Sequence, residues 1–532
     1  MIEQSIEGRW RKDDSKRWST LDRARHCSSL TKPWVLPPEG YKDGQSKLPE
    51  PFTSLAARGV TNLEGRLLLA LYPPGRNFFA LKISSDVRYN PAFEPEMLDE
   101  LNEVLFLQEM TMMSMLESAY VGDRSGNRRS GGFRSRKRTA ISQLLITGDV
   151  LEQLTDDYRI KVFRRDQYVT QRDSAGDVLY HIIKERIDPL TLSEEQISKC
   201  GLDLMQLKDK SPDDRMKDLY TLCEWQPIEK TWLIQQECQA ALINESEDKV
   251  SPFMSTPYEL APGEHYGRGL IELNLGDVRS LNELTMALLD FAATASKQLF
   301  ALDYNSQVRA EDLTKETGSV IQARVQGGQV MDVAMIRADK MQDFQVTAGT
   351  RDSLRKDLAA VMLMEGETQP RGDRVTAFQV QRVAMELEGA LGGVYGSIAD
   401  AQQIPLIERV MFQMKRDKIM PAMPKDGIEI EALTGISALS REGDGGKLMQ
   451  VLQTMAQMGP EMMSKINMDH LIDLMMRQAG IYEPGLIKSQ EQVQQEQQAA
   501  QQQQMQQQAA SKAVDVMGNV AEQDMAPPQE AQ

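Results

Sequence analysis

Long apolar runs are missing from this sequence of 532 residues. No stretch of about eighteen apolar residues occurs, which argues against a helix that spans a membrane. The opening MIEQSIEGRWRKDDSKRW is too charged to be a secretory signal. We therefore expect a chain that is made and assembled in the cytosol and that does not insert into a membrane.

Cysteine and histidine are both scarce. The cysteines form no C-x-x-C pair, which argues against a zinc knuckle and a disulfide framework and predicts buried or inert thiols. No histidine has a partner at metal-ligand spacing. We expect no metal and no cofactor. The residues concerned are Cys27, Cys200, Cys223, Cys238, His26, His181, His265 and His470.

Motifs of catalysis are absent as well. The stretch REGDGGKLM comes nearest to a phosphate-binding loop, but it lacks the first glycine and the hydroxyl residue that would contact magnesium. The motifs H-E-x-x-H and G-x-S-x-G do not occur. The many carboxylates form no paired constellation of acid and base. The sequence thus predicts a protein that is not an enzyme.

Acidic residues outnumber basic ones, and the formal net charge is -17. A chain this acidic repels nucleic acid unless its basic residues are gathered locally. One basic cluster lies between Gly122 and Arg138, among glycines and serines that favour a mobile loop. A solvated loop and a contact with phosphate or an acidic protein are equally good interpretations. The cluster contains Arg124, Arg128, Arg129, Arg134, Arg136, Lys137 and Arg138.

Helical and strand patterns alternate along the first half of the chain and predict an α+β fold. Helical spacing of apolar residues indicates helices in WSTLDRARHCSSL, in FTSLAARGVTNLEGRLLLALYPPG and in PEMLDELNEVLFLQEMTMMSMLESAY. Pro73 and Pro74 are expected to end the second of these. Strands in hairpins are indicated in RIKVFR, YVTQRDSAGDVLYHIIKERI, YTLCEWQP and KTWLIQQECQA.

A helix, a small β unit and a second helix are predicted next. Apolar residues recur at intervals of three and four residues from Val278 to Leu299, as in a long amphipathic helix. In SVIQARVQGGQVMDVAMI two short strands flank Gly327 and Gly328, a pair suited to a tight turn. The stretch TRDSLRKDLAAVMLM then returns as a helix. This order predicts two rods that carry a small β tip.

The segment from Glu365 to Arg374 contains two glycines and a proline and cannot be regular structure. It leads into a pattern of one very long helix from Thr376 to Lys418, which would span about 60 Å if it were straight. Pro405 is a second irregularity in this helix. A strand and turn follow at IEIEALTGISALS, then methionine-rich helices, and finally a glutamine-rich tail.

Four glycines lie near the middle of this long helix, where each weakens it by roughly 1 kcal/mol relative to alanine. Their spacing of three and four places them on one side. They would allow a bend or the close approach of another backbone, or they are tolerated in a crowded core. A phosphate cradle is disfavoured because no strand precedes them. They are Gly389, Gly392, Gly393 and Gly396.

Several long stretches occur together: SLAARGVTNLEGRLLLALYPP, YVTQRDSAGDVLY, HYGRGLIELNLGDVRSLNEL, and RGDRVTAFQVQRVAMELEGALGGVYGSI followed by IPLIERV. In these stretches and in their order the chain resembles the portal proteins of short-tailed bacteriophages, also called head-to-tail connectors. The resemblance extends from Trp18 to Ile481.

The resemblance implies a ring, normally of twelve subunits, around a channel through which DNA enters the capsid and later leaves. It implies a portal fold with wing, stem, clip and crown. The corresponding residues are 1–265 for the wing, 266–300 for the first stem helix, 301–340 for the clip, 341–364 for the second stem helix, 365–375 for the tunnel loop, 376–420 for a long kinked wing helix, 421–440 for a wing strand and turn, 441–490 for crown helices and 491–532 for a disordered tail or barrel helix.

The resemblance places the tunnel loop at the narrowest part of the channel, and it implies a helix kink and close subunit packing at the four glycines. An acidic channel wall would let DNA slide, because each cation that neutralises a phosphate adds affinity. Arg371 and Arg374 would steer the DNA backbone without reading bases. The tunnel loop residues concerned are Thr368, Gln369, Pro370, Arg371 and Arg374.

The implied partners are double-stranded DNA, bound without sequence specificity, the terminase large subunit, tail adaptor or tubular proteins, capsid and scaffolding proteins, and internal core proteins. The implied location is the portal vertex of the virion, after assembly in the host cytoplasm. The insertion from Gly122 to Arg138 and the glutamine-rich tail depart from the family pattern. A DNA-binding regulatory or scaffold protein that acts through this insertion is the alternative function.

Overall fold

The computed structural model describes residues 5–74, 77–84, 95–118, 132–295, 299–304, 306, 308–316, 318–327, 329–331, 333–336, 341–364, 385–387, 389, 394–419 and 427–433. Several predictions fall on other residues. They concern the tunnel loop with Thr368, Gln369, Pro370, Arg371 and Arg374, the basic residues Arg124, Arg128 and Arg129, the glycines Gly392 and Gly393, the crown helices and the glutamine-rich tail.

Helices and strands both occur in the described residues, as the α+β prediction requires. The helices α1 to α12 are Ile6–Lys16, Trp18–Ser29, Leu55–Leu71, Pro95–Ser118, Gly132–Thr147, Glu194–Lys199, Leu204–Asp209, Pro212–Arg215, Leu270–Leu273, Leu275–Ala295, Met341–Val361 and Val394–Arg416. The strands β1 to β14 are Phe79–Ile83, Asp149–Leu154, Ile160–Phe163, Tyr168–Arg172, Val178–Ile187, Lys217–Gln226, Thr231–Cys238, Ala241–Asp248, Phe253–Pro257, Leu299–Leu302, Val325–Gln326, Gln329–Val330, Val333–Ile336 and Ile428–Ala432.

Five antiparallel strands form a meander in the order β4, β5, β6, β7, β8, with Tyr168 opposite Ile183. The helix α1, which the sequence patterns did not indicate, covers one face of this meander. Its Trp10 ring lies 6.2 Å from the Tyr220 ring, and Arg9 forms an ion pair of 2.8 Å with Glu224 on β6. The meander therefore has its own small core beneath α1.

A larger apolar cluster, here called the main core, joins α3, α5 and α12 with the strands β1 and β2. Its fully buried members include Val60, Leu63 and Leu67 on α3. The helix α3 ends at Leu71 before Pro73 and Pro74, as predicted, because proline has no amide hydrogen to continue the helix. The remaining members from the helices include Ile141, Leu144, Val278, Leu281, Leu358, Met362, Ile398, Leu406, Ile407 and Val410.

The helix α12 covers the main core with Pro405 inside it. Its buried polar side chains bind backbone carbonyls and a carboxylate of distant segments. Gln403 Nε2 donates to Leu71 O at 2.7 Å, and Arg409 Nη1 donates to Asp248 Oδ2 at 2.6 Å and to Val250 O at 2.7 Å. Because Arg409 is buried, these two acceptors replace the water that its Nη1 would otherwise bind.

Three glycines, Gly148, Gly267 and Gly269, bring the end of α5 against the start of α9. Gly148 has a φ of +80°, and a Cβ there would lie closer than 3.0 Å to backbone atoms of Gly267 and Gly269. A Cβ on Gly269 would in turn lie 2.8 Å from Leu145 O. The C-terminus of α5 and the chain that enters α9 therefore approach so closely that their backbone atoms touch.

The structure corrects the predicted basic loop from Gly132 onwards, because Gly132–Thr147 is the helix α5. Lys137 is fully buried, and its Nζ lies 2.9 Å from Glu152 Oε2. Phe133, Lys137 and Leu144 recur at helical spacing and all face the main core, so the apolar stem of Lys137 fills a core position. A count of basic residues could not show this burial.

A second correction concerns the helix predicted from Val278 to Leu299. The helix α10 ends at Ala295, and Leu299 begins the strand β10. Leu299 pairs with Ile336 across an antiparallel ladder. An apolar residue at this position fits the pattern of a helix as well as that of a strand. The partner strand that decides between the two lies far along the chain.

The four cysteines are free and buried, as predicted. Burial raises the pKa of the Cys27 thiol and of the Cys223 thiol to about 12. Both thiols are therefore protonated at neutral pH and poor nucleophiles.

We expect the free energy of unfolding to fall as the pH is lowered from about 6.5 towards 3, and His181 to account for part of the loss. His181 is buried with Nδ1 2.9 Å from Thr170 Oγ1, and burial, with the charge of Arg172, lowers its pKa from 6.5 to about 3. Between these values the unfolded chain binds a proton that the folded chain does not, so the stabilisation is present above pH 6.5 and lost below it.

Urea titrations at pH 7 and pH 5 measure this difference. His181→Asn removes the titrating group and should lose less stability between the two pH values than the parent chain. Equal losses in both proteins would contradict the assignment.

Candidate channel and assembly site

The helices α10 and α11 pack side by side and are called the helix pair. Their Phe291 and Phe344 rings stack with centroids 5.0 Å apart and an interplanar angle of 30°. One end of the pair enters the main core through Val278 and Leu281 on α10 and Leu358 on α11. The other end leads into the small β unit.

The small β unit, here called the β tip, comprises β10 to β13. β10 pairs with β13, and β11 pairs with β12, so Val325 lies opposite Val330. The two short strands predicted around Gly327 are therefore confirmed, and Gly327 has the positive φ of +61° that tight hairpin turns favour. Helix, β unit and helix follow each other as predicted.

Apolar side chains of the helix pair and the β tip are exposed in the single chain. Leu289 on α10 is 55% exposed and Val346 on α11 is 70% exposed. In the β tip, Tyr304 is 100% exposed and Val320 is 93% exposed. Exposed apolar side chains gathered on one substructure are typical of a surface that another protein covers.

The exposed side of α10 continues onto a neighbouring loop. Asn282, Met286 and Leu289 share one side of α10 at spacings of four and three. Asn282 Oδ1 accepts a hydrogen bond of 2.7 Å from Phe52 N, and Phe52 is half exposed. Phe52, Met286 and Leu289 thus add to the exposed apolar surface of the helix pair.

The helix α3 contacts the chain on both sides of the predicted tunnel loop. Asn62 Nδ2 donates to Met362 O at 3.0 Å and to Leu363 O at 2.8 Å, at the end of α11. Arg66 Nη1 lies 2.5 Å from Glu386 Oε2, beyond the loop. Sequence reasoning missed these residues, and nothing in LEGR or its neighbours identifies partners some 300 positions away.

The predicted basic residues that are described do not form one surface. Lys137 is fully buried, Arg138 Nε lies 3.5 Å from Glu64 Oε2, and burial lowers the pKa of Arg134. Arg136 is exposed. Lys137 therefore cannot contact phosphate in this fold. The alternative function, a DNA-binding regulator that acts through this insertion, loses one of its proposed cations.

The described glycines of the long helix have free space beside them. A Cβ on Gly389 or on Gly396 would meet no atom within 4 Å among the described residues. Neither position is crowded by the described residues of the single chain, and the three interpretations of the four glycines stay predictions. Gly396 lies within α12, and the predicted bend at Gly392 and Gly393 stays a prediction.

Metal and membrane features can be assessed for the described ranges only. Within them, no group of three or more His, Cys, Asp and Glu side chains is arranged to hold a metal ion. None of the described helices combines the length and the apolar character that crossing a membrane requires.

A family model described as bacteriophage head to tail connecting protein matches residues 3–487. The chain belongs to this family. Its function is that of a portal, the connector between phage head and tail. The resemblance read from the sequence, and the connector function predicted from it, are thereby confirmed.

Portal proteins of three phages are among the relatives of this connector. The portal protein of Escherichia phage T7 is 28% identical over 494 residues, which cover 91% of this chain and 88% of that protein. The portal protein of Enterobacteria phage T3 is 27% identical over 496 residues, covering 91% and 87%. That of Enterobacteria phage SP6 is 25% identical over 497 residues, covering 91% and 90%.

Proposed function

We propose that this connector assembles into a closed ring, normally of twelve copies, at one vertex of the capsid, and that double-stranded DNA passes through its centre. The helix pair is the stem, the β tip is the clip, and residues 365–375 form the tunnel loop at the narrowest part of the channel. The observation that carries this proposal is the set of exposed apolar side chains on the helix pair and the β tip.

Ring geometry explains why these side chains are apolar. In a closed ring each subunit contacts two neighbours through two different faces, so one face of the helix pair would cover another face on the next copy. Burying a side chain such as Leu289 stabilises a contact by about 1.5–3 kcal/mol. Single exposed apolar residues such as Ile228 are common, and it is the grouping of Leu289 and Val346 with others on the helix pair and the β tip that favours a covered surface.

The acidic composition suits a DNA channel. DNA must move inward and outward, and each fixed cation that neutralises a phosphate would add affinity and hold it back. A net charge of -17 avoids such adhesion. In the tunnel loop, Arg371 and Arg374 steer the DNA backbone without reading its sequence.

The proposed connector performs no catalysis. A separate terminase motor docks during packaging through its large subunit, and tail adaptor or tubular proteins dock afterwards. Major capsid, scaffolding and internal core proteins surround the ring in the virion, after assembly in the host cytoplasm. The open space beside Gly389 and Gly396 supports the further proposal that Gly389, Gly392, Gly393 and Gly396 let a neighbouring subunit approach the long kinked helix.

Native mass determination combined with negative-stain imaging tests the ring. We expect closed rings of about twelve subunits with a central hole. A compact monomer that forms no rings under any solution condition would contradict the proposal and revive the regulator hypothesis.

Leu289→Asp is expected to lower the fraction of subunits in rings by about tenfold or more, because a carboxylate would have to be buried in place of an apolar side chain. Native mass determination gives this fraction. Ile228→Asp is the matched control, since Ile228 is also exposed but lies on the turn between β6 and β7. Rings that tolerate Leu289→Asp as well as Ile228→Asp would place the subunit contact elsewhere.

A further inference from the structure

We propose that one face of α3, formed by Gly59, Asn62 and Arg66, positions both ends of the chain between Leu363 and Glu386. These three residues are called the α3 anchor. The inference rests on the proposed function, because that function places the tunnel loop of the DNA channel between the two ends. The α3 anchor would thus set the position of a channel element that it does not itself belong to.

The anchor residues lie on one side of their helix. Spacings of three and four place Gly59, Asn62 and Arg66 along one face of α3. Val60, Leu63 and Leu67 are buried in the main core from the same helix. The anchor therefore sits on an element that the core holds in place.

The first end is the C-terminus of α11. Leu363 N donates to Ala360 O at 3.0 Å and Met364 N donates to Ala359 O at 2.8 Å, which together form a Schellman motif. Leu363 has a φ of +51°, a left-handed conformation that such motifs usually fill with glycine. A leucine at this position is strained by about 1–2 kcal/mol, so other contacts must hold it.

Asn62 supplies these contacts. Its Nδ2 donates to the carbonyl of Met362, a helix-end acceptor without a partner within the helix, and to the carbonyl of Leu363 itself. Gly59 allows the approach, because a Cβ there would lie only 2.8 Å from Met362 Cγ. The direction in which the chain leaves α11 is therefore fixed by α3 as well as by α11.

The second end is held one turn further along α3. Arg66 Nη1 lies 2.5 Å from Glu386 Oε2, and the Arg66 side chain is largely buried. Leu387, the next residue, is fully buried in the main core. Charge-assisted bonds of this length are stronger than neutral ones, and burial of the neighbour limits the alternatives for Glu386.

The spacing of the two ends follows from helix geometry. Asn62 and Arg66 are four residues apart, which is about 6 Å along the helix axis. The chain between Leu363 and Glu386 thus leaves and returns to the same helix face. Because both contacts lie on α3, this helix sets the separation of the two ends.

A charge exchange tests the anchor in assembled rings of the full chain. The variants are Arg66→Glu, Glu386→Arg and the double exchange, with Asn62→Ala as an independent variant. The control is Arg25→Glu, which breaks the ion pair of 3.2 Å between Arg25 on α2 and the exposed Glu39 in the turn that follows. Hydrogen exchange of the Leu363 and Met364 amides reports the first end, that of the Glu386 and Leu387 amides reports the second end, and DNA retained per capsid reports the channel.

We expect Asn62→Ala to raise the rate of amide exchange at Leu363 and Met364 by about tenfold, and each single charge exchange to raise it at Glu386 and Leu387 by a similar factor, while the ring mass stays unchanged. DNA retained per capsid should fall several-fold. The double exchange and the conservative Arg66→Lys should restore both readouts, and Arg25→Glu should change neither. A merely structural role for Arg66 would alter the stability of the whole chain but not DNA retention at constant ring number.

Two other outcomes separate the inference from the function on which it rests. If the parent chain packages DNA and every anchor variant matches it in amide exchange and DNA retention, the anchor is overturned and the channel stands. If parent rings support no DNA packaging, the proposed function fails. Faster exchange at Leu363 in the variants would then still establish the α3 anchor as a structural contact without a role in a channel.

Discussion

Lys137→Met is expected to lower the free energy of unfolding by about 3–5 kcal/mol. The change leaves the Glu152 carboxylate buried in the main core without its cation, and both side chains have no exposed surface in the parent. Methionine retains an apolar chain beside Tyr72 and Phe133, so lost packing contributes little. The loss therefore measures an uncompensated buried charge.

The double variant Lys137→Met with Glu152→Met should recover most of the loss, because replacing both members of a buried ion pair by apolar side chains is often neutral or stabilising. Arg136→Met is the control on the same helix and should stay within about 0.5 kcal/mol of the parent. Urea unfolding followed by circular dichroism gives the values, at one protein concentration because assembly adds stability. A parent-like Lys137→Met would refute the role of the pair.

Gly148→Ala is expected to lower the free energy of unfolding by more than about 4 kcal/mol. Two effects combine at this position. The positive φ disfavours any side chain, and the added Cβ would meet backbone atoms of Gly267 and Gly269, which cannot rotate away. Relief of the clash requires the end of α5 and the entry to α9 to separate.

Gly40→Ala separates the two effects. Gly40 has a nearly equal φ of +75°, but a Cβ there would meet nothing within 4 Å. The left-handed backbone alone is worth about 1–2 kcal/mol. The same urea titration applied to both variants should give a loss at least twice as large for Gly148→Ala, and equal losses would show that the backbone contact yields easily.

Helices and strands were predictable from the sequence where their apolar residues recur at regular spacing and where a proline or a glycine turn marks their end. The helix α3 follows from its apolar spacing and from Pro73 and Pro74, and the hairpin of β11 and β12 follows from the glycine turn at Gly327. Local signals decide such elements, because the turn or the stop needs no distant partner. The strand β14 was also predictable, because IEIEA alternates, although its partner is the distant strand β1.

Features that depend on distant partners were not predictable. Lys137 looked like one cation among several in a loop, and only Glu152 on a neighbouring strand shows that it is a core residue. Asn62 and Arg66 have no distinguishing neighbours in sequence, since their partners lie some 300 positions away. From composition alone, a charged residue is expected to lie at the surface. This expectation fails wherever a charged side chain pairs with a buried partner in the folded protein.

The helix pair has a mechanical consequence. Its helix α10 spans Leu275–Ala295, a length of about 30 Å at 1.5 Å per residue, and the main core grips it at Val278 and Leu281 near one end. The helix therefore behaves like a cantilever: the end held in the main core stays fixed, and a force on the far end can bend it without disturbing the core. In the proposed ring the helix pair of each subunit packs against that of the next. The ring is then stiffer than one subunit, and a force applied at one β tip is distributed over the neighbouring subunits.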